Sequence, residues 1–276
     1  MNNIFDRVNS TVEYIKSKIG NFSAEIGIVL GSGLGEIVND IKEKKIVPYG
    51  EIPSMPKSTV QGHKGNFVFG TLGNKKVMIM QGRVHFYEGY TLQEISIPIR
   101  TMKRLGIKSL ILTSAVGGIK GRLPLKPTDI VIVKDHINNL GDNPLAGEYN
   151  SDFGEMFPDM SEVYSKKLRQ LVKKVAAREK IKVYEGIYII NKGPSYETPA
   201  EIKAYKKLGA DVAGMSLVPE AIVAHQCGID VLGICYISNL ASGISKNVLT
   251  HEEVLKNAEI VADKFYRLLK GVVEII

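Results

Sequence analysis

Apolar runs of strand length alternate with helical patterns along nearly the whole of this 276-residue chain. The runs are near-continuous, which is typical of strands that are covered on both faces. They occupy residues 26–30, 67–72, 76–80, 109–113, 129–133, 186–190, 212–215 and 231–237. Alternation of this kind predicts an α/β fold with a mostly parallel, mixed twisted sheet flanked by helices.

The predicted helices have clear start signals. Thr-x-x-Glu capping boxes begin at Thr91, Thr198 and Thr250, and Pro199 takes the first helical position after its box. No linker, repeat or low-complexity run divides the sequence, so residues 1–276 are predicted to form a single domain.

The net charge of +7 raises the possibility of a nucleic-acid partner. The lysine pairs are scattered, however, and they are not interleaved with aromatic residues. We predict that they lie on solvated helix faces; they are Lys44-Lys45, Lys166-Lys167, Lys173-Lys174 and Lys206-Lys207. The net positive charge therefore does not indicate a nucleic-acid partner. It favours the binding of an anionic substrate such as phosphate.

The sequence also predicts the cellular environment. No apolar run approaches the roughly 18 residues that a membrane span needs, and the first seven residues do not resemble a signal peptide. Cys227 and Cys235 lack a Cys-x-x-Cys spacing and are expected to be buried thiols. We therefore expect a cytoplasmic protein with no membrane partner.

Chemistry is expected beyond the carboxyl ends of the strands, where α/β sheets bind ligands. Residues 31–35, Gly-Ser-Gly-Leu-Gly, follow the first strand and form either an anion cradle or a simple tight turn. Arg83 and His85 alternate along an extended segment, with Tyr87 next in line, and they can meet a phosphate there, although His85 also fits a structural role. Residues 113–118 come at the end of a strand. They either supply a further backbone N–H to an anion or form a simple turn from strand to loop.

Two further strand ends carry hydrogen-bonding side chains. Glu197 precedes the cap Thr198, so it either serves the helix terminus or points into a site. Asn239 follows another strand as a turn residue or a ligand-binding amide, and Ser216 closes a Gly-Met-Ser segment. The sequence contains no metal-ligand spacing and no Gly-x-Ser-x-Gly nucleophile motif, so no metal site is expected.

Together these segments resemble the trimeric, low-molecular-weight purine nucleoside phosphorylases. The resemblance extends from about Ile26 to the last helix, with the motifs in the family's order. The matching segments are residues 31–35, 62–65, 82–89, 135–138, 193–198 and 214–220. It implies phosphorolysis of 6-oxopurine nucleosides such as inosine and guanosine, with inorganic phosphate as co-substrate, no cofactor and a homotrimeric assembly.

The resemblance also implies a role for each matching residue. Phosphate would be held by Ser32, His63, Arg83, His85, the Ala115 backbone and Ser216. Ribose would be contacted by Tyr87, Met215, His251 and, from a neighbouring subunit, Phe157. The base would be bound by Tyr196, Glu197 and Asn239, and the catalytic residues would be His85, Glu197 and Asn239.

Some positions depart from the family pattern. Ser114 and Val116 stand where Asn and Ala are common, Tyr196 where Phe is frequent, and residues 240–249 differ from the vertebrate-type sequences.

Two rival functions stay open. Methylthioadenosine phosphorylase typically has Asp where Asn239 stands, so Asn239 points away from it. A non-catalytic anion-binding protein would leave Arg83, His85, Glu197 and Asn239 together unexplained.

Overall fold

The computed structural model describes residues 3–59, 64–147, 149–245 and 250–276. The helices are α1 (Ile4–Ile19), α2 (Leu92–Arg104), α3 (Lys166–Arg178), α4 (Pro199–Lys207), α5 (Val218–Gln226) and α6 (His251–Ile275). The strands are β1 (Ile26–Leu30), β2 (Lys42–Pro48), β3 (Asn66–Leu72), β4 (Lys75–Gln81), β5 (Ser109–Gly118), β6 (Ile130–Asn138), β7 (Val183–Ile190), β8 (Val212–Gly214) and β9 (Asp230–Leu240).

The nine strands found in the described residues join one mixed sheet in the order β2-β3-β4-β1-β5-β8-β7-β6-β9. Parallel pairs join β1 to β4 and β5, β5 to β9, and β7 to β6 and β8. The remaining pairs are antiparallel. The predicted α/β fold with a mostly parallel, mixed sheet is confirmed.

The sheet closes on itself at one end, because β5 also pairs with β9. Strands β5, β8, β7, β6 and β9 therefore form a ring, and β5 has three partner strands: β1, β8 and β9. The β5–β9 pairing runs from Ser109↔Asp230 to Gly118↔Leu240. This long pairing brings the far ends of β5 and β9 side by side.

Helices cover both faces of the sheet through two large apolar clusters. One cluster joins the strands to α1, α2 and α5, and the other joins them to α3 and α6. Within β1, Val29 packs into the first cluster, whereas Ile28 and Leu30 pack into the second. This alternation of side chains explains why the strand is apolar at every position.

Two local predictions were wrong. Lys44 and Lys45 were expected on a helix but lie in the exposed strand β2, which has no continuous apolar run to identify it. Residues 113–118 were expected to turn after the strand, yet β5 continues to Gly118 because β8 and β9 supply backbone partners there. Among the described residues, no helix has both the length and the apolar composition for crossing a membrane.

Candidate active site

Most of the side chains that the sequence identified at strand ends line one cleft. They are Ser32, Arg83, His85, Tyr87, Ala115, Tyr196, Glu197, Met215, Ser216 and Asn239. Ser32 follows β1 and Met215 follows β8, whereas Ala115 and Asn239 lie within the last residues of β5 and β9. The cleft therefore occupies the position at which α/β sheets bind ligands.

A buried guanidinium defines one end of the cleft. Arg83 is 1% exposed, and its Nη1 donates to Ser216 Oγ at 2.8 Å. Its Nε lies 3.3 Å from Glu220 Oε1. The second carboxylate oxygen of Glu220 accepts from the Leu217 backbone N–H at 3.1 Å, which fixes this partner. A positioned Arg beside a serine hydroxyl is suited to binding an oxyanion.

His85 is oriented by a carboxylate. Its Nδ1 lies 2.9 Å from Glu88 Oε1, which also accepts the His85 backbone N–H at 2.7 Å. Hydrogen bonds from His85 and Thr59 hold the pKa of Glu88 at about 2 against the opposing effect of burial. Because an ionised carboxylate only accepts, Nδ1 carries the proton, and Nε2 is an acceptor in the neutral ring.

Burial lowers the pKa of His85, an effect that Glu88 partly opposes. The neutral imidazole is therefore the favoured form at pH 7. Tyr87 stacks on the ring, with centroids 4.6 Å apart. Tyr87 lies in a 3₁₀ turn, Phe86–Glu88, and not in the extended segment that the sequence predicted.

The loop that follows β1 is held against two other elements. The Gly31 N–H donates to Thr113 Oγ1 at 2.9 Å, and the Tyr236 hydroxyl donates to the Ser32 carbonyl at 3.1 Å. Gly33 has a φ of +76°, and a Cβ there would lie 2.2 Å from the Ala258 Cβ. The segment thus needs glycine at this position for both backbone conformation and space.

A carboxylate and an amide lie in the other part of the cleft. Glu197 accepts a short hydrogen bond from Asn191 Nδ2, while Thr198 caps α4 by accepting from the Glu201 N–H at 3.2 Å. Burial raises the pKa of Glu197. Thr198 thus supplies the cap of α4, and Glu197 lines the cleft.

Asn239 is 5% exposed and is held within its own strand. Its Oδ1 accepts from the Ser238 hydroxyl at 2.7 Å, and its Nδ2 donates to the Leu240 carbonyl at 3.1 Å. An amide has two N–H donors and two acceptor lone pairs. One donor and one acceptor position therefore remain for a ligand once these bonds are counted.

Two of the predicted site side chains lie outside the described part of the chain, and a third does not line this cleft. His63 lies outside the described residues, and so does the side chain of His251, although its backbone begins α6. Phe157 is 84% exposed and does not line the cleft of its own chain. The two assignments to His63 and His251 therefore remain sequence predictions.

The structure adds partners to which the sequence analysis gave no role. They are Ser114, which lies 3.1 Å from the Ser216 hydroxyl, together with Glu88, Glu220, Asn191 and Ser238. The spacing of Glu88 three residues after His85 was a usable signal. Glu220 lies 137 residues from Arg83 and gives no such signal.

Within the described ranges, no group of three or more His, Cys, Asp or Glu side chains is placed to hold an ion. The described part of the cleft combines the Arg83 guanidinium and the Ser216 hydroxyl at one end with the Glu197 carboxylate and the Asn239 amide, each held by hydrogen bonds within the protein.

Comparison with known proteins places this cleft in a family. Residues 25–274 match the model of the phosphorylase superfamily. Purine nucleoside phosphorylase 1 of Geobacillus stearothermophilus is 47% identical over 96% of both chains. The chain belongs to the purine nucleoside phosphorylases, a family of pentosyltransferases.

Solved structures of this family share the fold throughout. The Schistosoma mansoni purine nucleoside phosphorylase in complex with adenosine is 39% identical, and its complex with inosine 38% identical. Both superimpose with a TM-score of 0.91, covering 98% of this chain and 96% of theirs. The resemblance inferred from the motifs is confirmed at the level of the family.

Proposed function

We propose that this enzyme catalyses the reversible phosphorolysis of 6-oxopurine nucleosides, both ribo- and deoxyribonucleosides, such as inosine and guanosine. The main support is the division of one cleft into two chemically different ends. Ser32, Arg83, His85 and Ser216 can surround a phosphate, while Glu197 and Asn239 can contact a purine. Tyr87 and Met215 lie along the same cleft and would contact the sugar between them.

The reaction requires positioning and charge stabilisation, and no covalent enzyme intermediate. As the C1′–N9 bond breaks, its electron pair moves into the purine and the sugar becomes cation-like. A phosphate oxygen then forms the new bond to C1′, which gives ribose 1-phosphate, and the base leaves with a proton from solvent. Arg83 and Ser216 would hold the nucleophile in place, which converts a two-substrate encounter into an intramolecular step.

Base recognition follows from donor and acceptor matching. Inosine and guanosine carry an N1–H, which the Glu197 carboxylate can accept. The Asn239 amide would serve the N7 and O6 edge of the purine, and its remaining N–H would donate there as negative charge develops on the ring. Tyr196, which is 39% exposed, would stack on the purine at the mouth of the cleft.

The proposed activity has a direct test. Purified enzyme is expected to release hypoxanthine from inosine only when inorganic phosphate is present, and ribose 1-phosphate should accumulate in equal amount. Base release is followed by absorbance and the sugar product by phosphorus NMR. Equal rates without phosphate, with free ribose as the product, would identify a hydrolase instead.

We also propose that the enzyme is a homotrimer in which Phe157 completes the ribose side of a neighbour's cleft. Phe153, four residues before Phe157, is buried, and its ring stacks on that of Phe5 with centroids 5.3 Å apart. It therefore anchors the segment that carries Phe157 to its own subunit. Gln226 Nε2 donates to the Glu155 carbonyl at 3.0 Å, and His225 Nε2 lies 2.7 Å from the Asp159 carbonyl. The exposed Phe157 ring thus lies between two residues, Glu155 and Asp159, whose backbone is held by hydrogen bonds. An exposed ring held in this way is suited to a subunit interface.

Replacing Phe157 with alanine should raise the nucleoside KM by about tenfold, because the ring would no longer exclude water from the neighbouring site. The phosphate KM and the thermal stability should stay unchanged. Ile260→Ala, which truncates another exposed apolar side chain, serves as the control.

A mixing experiment tests whether the site is shared. Arg83→Ala and Phe157→Ala enzymes, each impaired alone, should regain activity after subunit exchange, because some sites then draw Arg83 and Phe157 from different intact parents. A monomer in sedimentation that is fully active at the same concentration would contradict the proposal.

We further propose that the chain works as one domain in a reducing cytoplasm, without a cofactor. Both cysteines are free and buried, which agrees with that compartment. Burial raises the pKa of Cys227 to about 11 and that of Cys235 to about 12, so neither is expected to act as a thiolate near neutral pH.

A further inference from the structure

Asn191 stands directly behind the carboxylate in the base-binding part of the cleft. It follows the last residue of β7, and its backbone N–H donates to the Gly214 carbonyl at 2.9 Å. Asn191 is only 9% exposed, and it does not itself line the cleft. Any effect on a nucleoside must therefore pass through another residue.

Both ends of the Asn191 amide are occupied. Oδ1 accepts the Gly193 N–H at 2.7 Å, which makes an Asx turn at the start of the following loop. Nδ2 donates to Glu197 Oε1 across that loop. The amide thus links the end of β7, the loop and the carboxylate in one fixed arrangement.

We propose that Asn191 is a positioning residue that sets base specificity by holding Glu197 as a hydrogen-bond acceptor. An amide N–H on one carboxylate oxygen fixes the side-chain torsions and favours the ionised form. The remaining lone pairs of the carboxylate then face the purine edge as acceptors, which a 6-oxopurine N1–H satisfies and the N1 lone pair of adenosine does not. This inference rests on the proposed phosphorolysis.

The surrounding charges make that hydrogen bond consequential. Burial raises the pKa of Glu197, and the nearby Glu201 carboxylate raises it further. The Glu197 backbone N–H and Asn191 act in the opposite direction. Tyr196 and Tyr205 also face Glu197, and its charge contributes to the raised pKa of both, so they remain neutral neighbours.

Asn191→Ser is the most informative variant. A serine hydroxyl can still accept from the Gly193 N–H in the same kind of turn, but it is too short to replace the donor to Glu197. We expect kcat/KM for inosine to fall about 10- to 100-fold, the usual effect of losing a hydrogen bond to a charged group. The value for adenosine and the phosphate KM should stay within about threefold of wild type.

The pH profile gives a readout that a purely structural role would not move. Without the Asn191 donor, the pKa of Glu197 rises, so the carboxylate becomes protonated at a higher pH. The acid limb of the kcat/KM profile for inosine should therefore shift upward by about one pH unit. Asn191→Leu, which removes the donor while keeping the branched side chain and its number of heavy atoms, should give the same shift and covers the case in which the serine variant folds poorly.

The control and the double-mutant cycle separate the possible explanations. Asn139→Ser removes the 3.2 Å hydrogen bond to Tyr205 on α4 and should leave the inosine-to-adenosine ratio unchanged. In a Glu197→Ala background, Asn191→Ser should change inosine kcat/KM by less than about threefold. An undiminished effect in that background, or a wild-type ratio and pH profile in Asn191→Ser, would overturn the inference. Wild-type enzyme that fails to cleave inosine with phosphate would instead refute the proposed function.

Discussion

Wild-type enzyme is expected to cleave inosine faster than adenosine by on the order of 10⁴-fold in kcat/KM, and Asn239→Asp should reduce that ratio by at least about 100-fold. Glu197 opposes the lone pair at adenosine N1, which leaves two acceptors facing each other in a partly buried site. An aspartate at position 239 accepts from the 6-amino group of adenosine, and it repels the O6 of inosine. Both effects of the aspartate lower the ratio of kcat/KM for inosine to that for adenosine.

The substrate panel that checks this prediction contains inosine, guanosine, adenosine and methylthioadenosine, each with and without phosphate. The phosphate KM of Asn239→Asp is the control, since position 239 lies in the base-binding part of the cleft. Equal kcat/KM for adenosine and inosine in the wild type would contradict the assigned roles of Glu197 and Asn239.

The second large effect is expected at the phosphate end, where Arg83→Ala should lower kcat/KM for phosphate by about 10²- to 10³-fold. In the proposed reaction, removing the guanidinium takes away the positioned charge that would hold the phosphate nucleophile. Arg83→Lys should recover only part of the loss, because an ammonium keeps the charge but lacks the planar fork. Phosphate dependence measured at saturating inosine gives the comparison.

Stability must be separated from catalysis in this experiment. Arg83→Ala leaves Glu220, which is 3% exposed, without its partner, and breaking a buried pair in this way costs about 3–5 kcal/mol of unfolding free energy. The double variant Arg83→Ala with Glu220→Gln removes that unpaired charge. It should regain stability in thermal unfolding while phosphate use stays impaired. Normal phosphate kinetics in the stable double variant would show that Arg83 does not hold the nucleophile.

The sequence predicted the parts of the fold that depend on burial and on local capping. All eight predicted strand runs coincide with strands, and Thr91, Thr198 and Thr250 each cap a helix. Strand β2 could not be predicted in this way, because its first five residues are exposed. The end of β5 was missed because its Gly-Gly pair is typical of a turn, and only ring closure supplies the partners that extend it.

The candidate site was predicted better than the contacts that support it. Arg83, His85, Glu197 and Asn239 were recognisable because charged and amide side chains follow apolar runs at strand ends. Asn191 also follows such a run, but its partner Glu197 lies across a loop, where no periodicity relates the two positions. Contacts such as Arg83–Glu220 depend on the tertiary fold, so sequence spacing does not reveal them.

Ring closure also determines where this protein can associate with other chains. Because β9 is joined back to β5, β2 is the end strand of the described sheet order, and it is paired only with β3. That border carries exposed lysines, an irregularity between Lys42 and Lys45, and a proline at its last position. Each of these features disfavours the docking of a foreign strand. A second copy of the chain is therefore not expected to pair along β2, and this border disfavours the stacking of sheets into fibres.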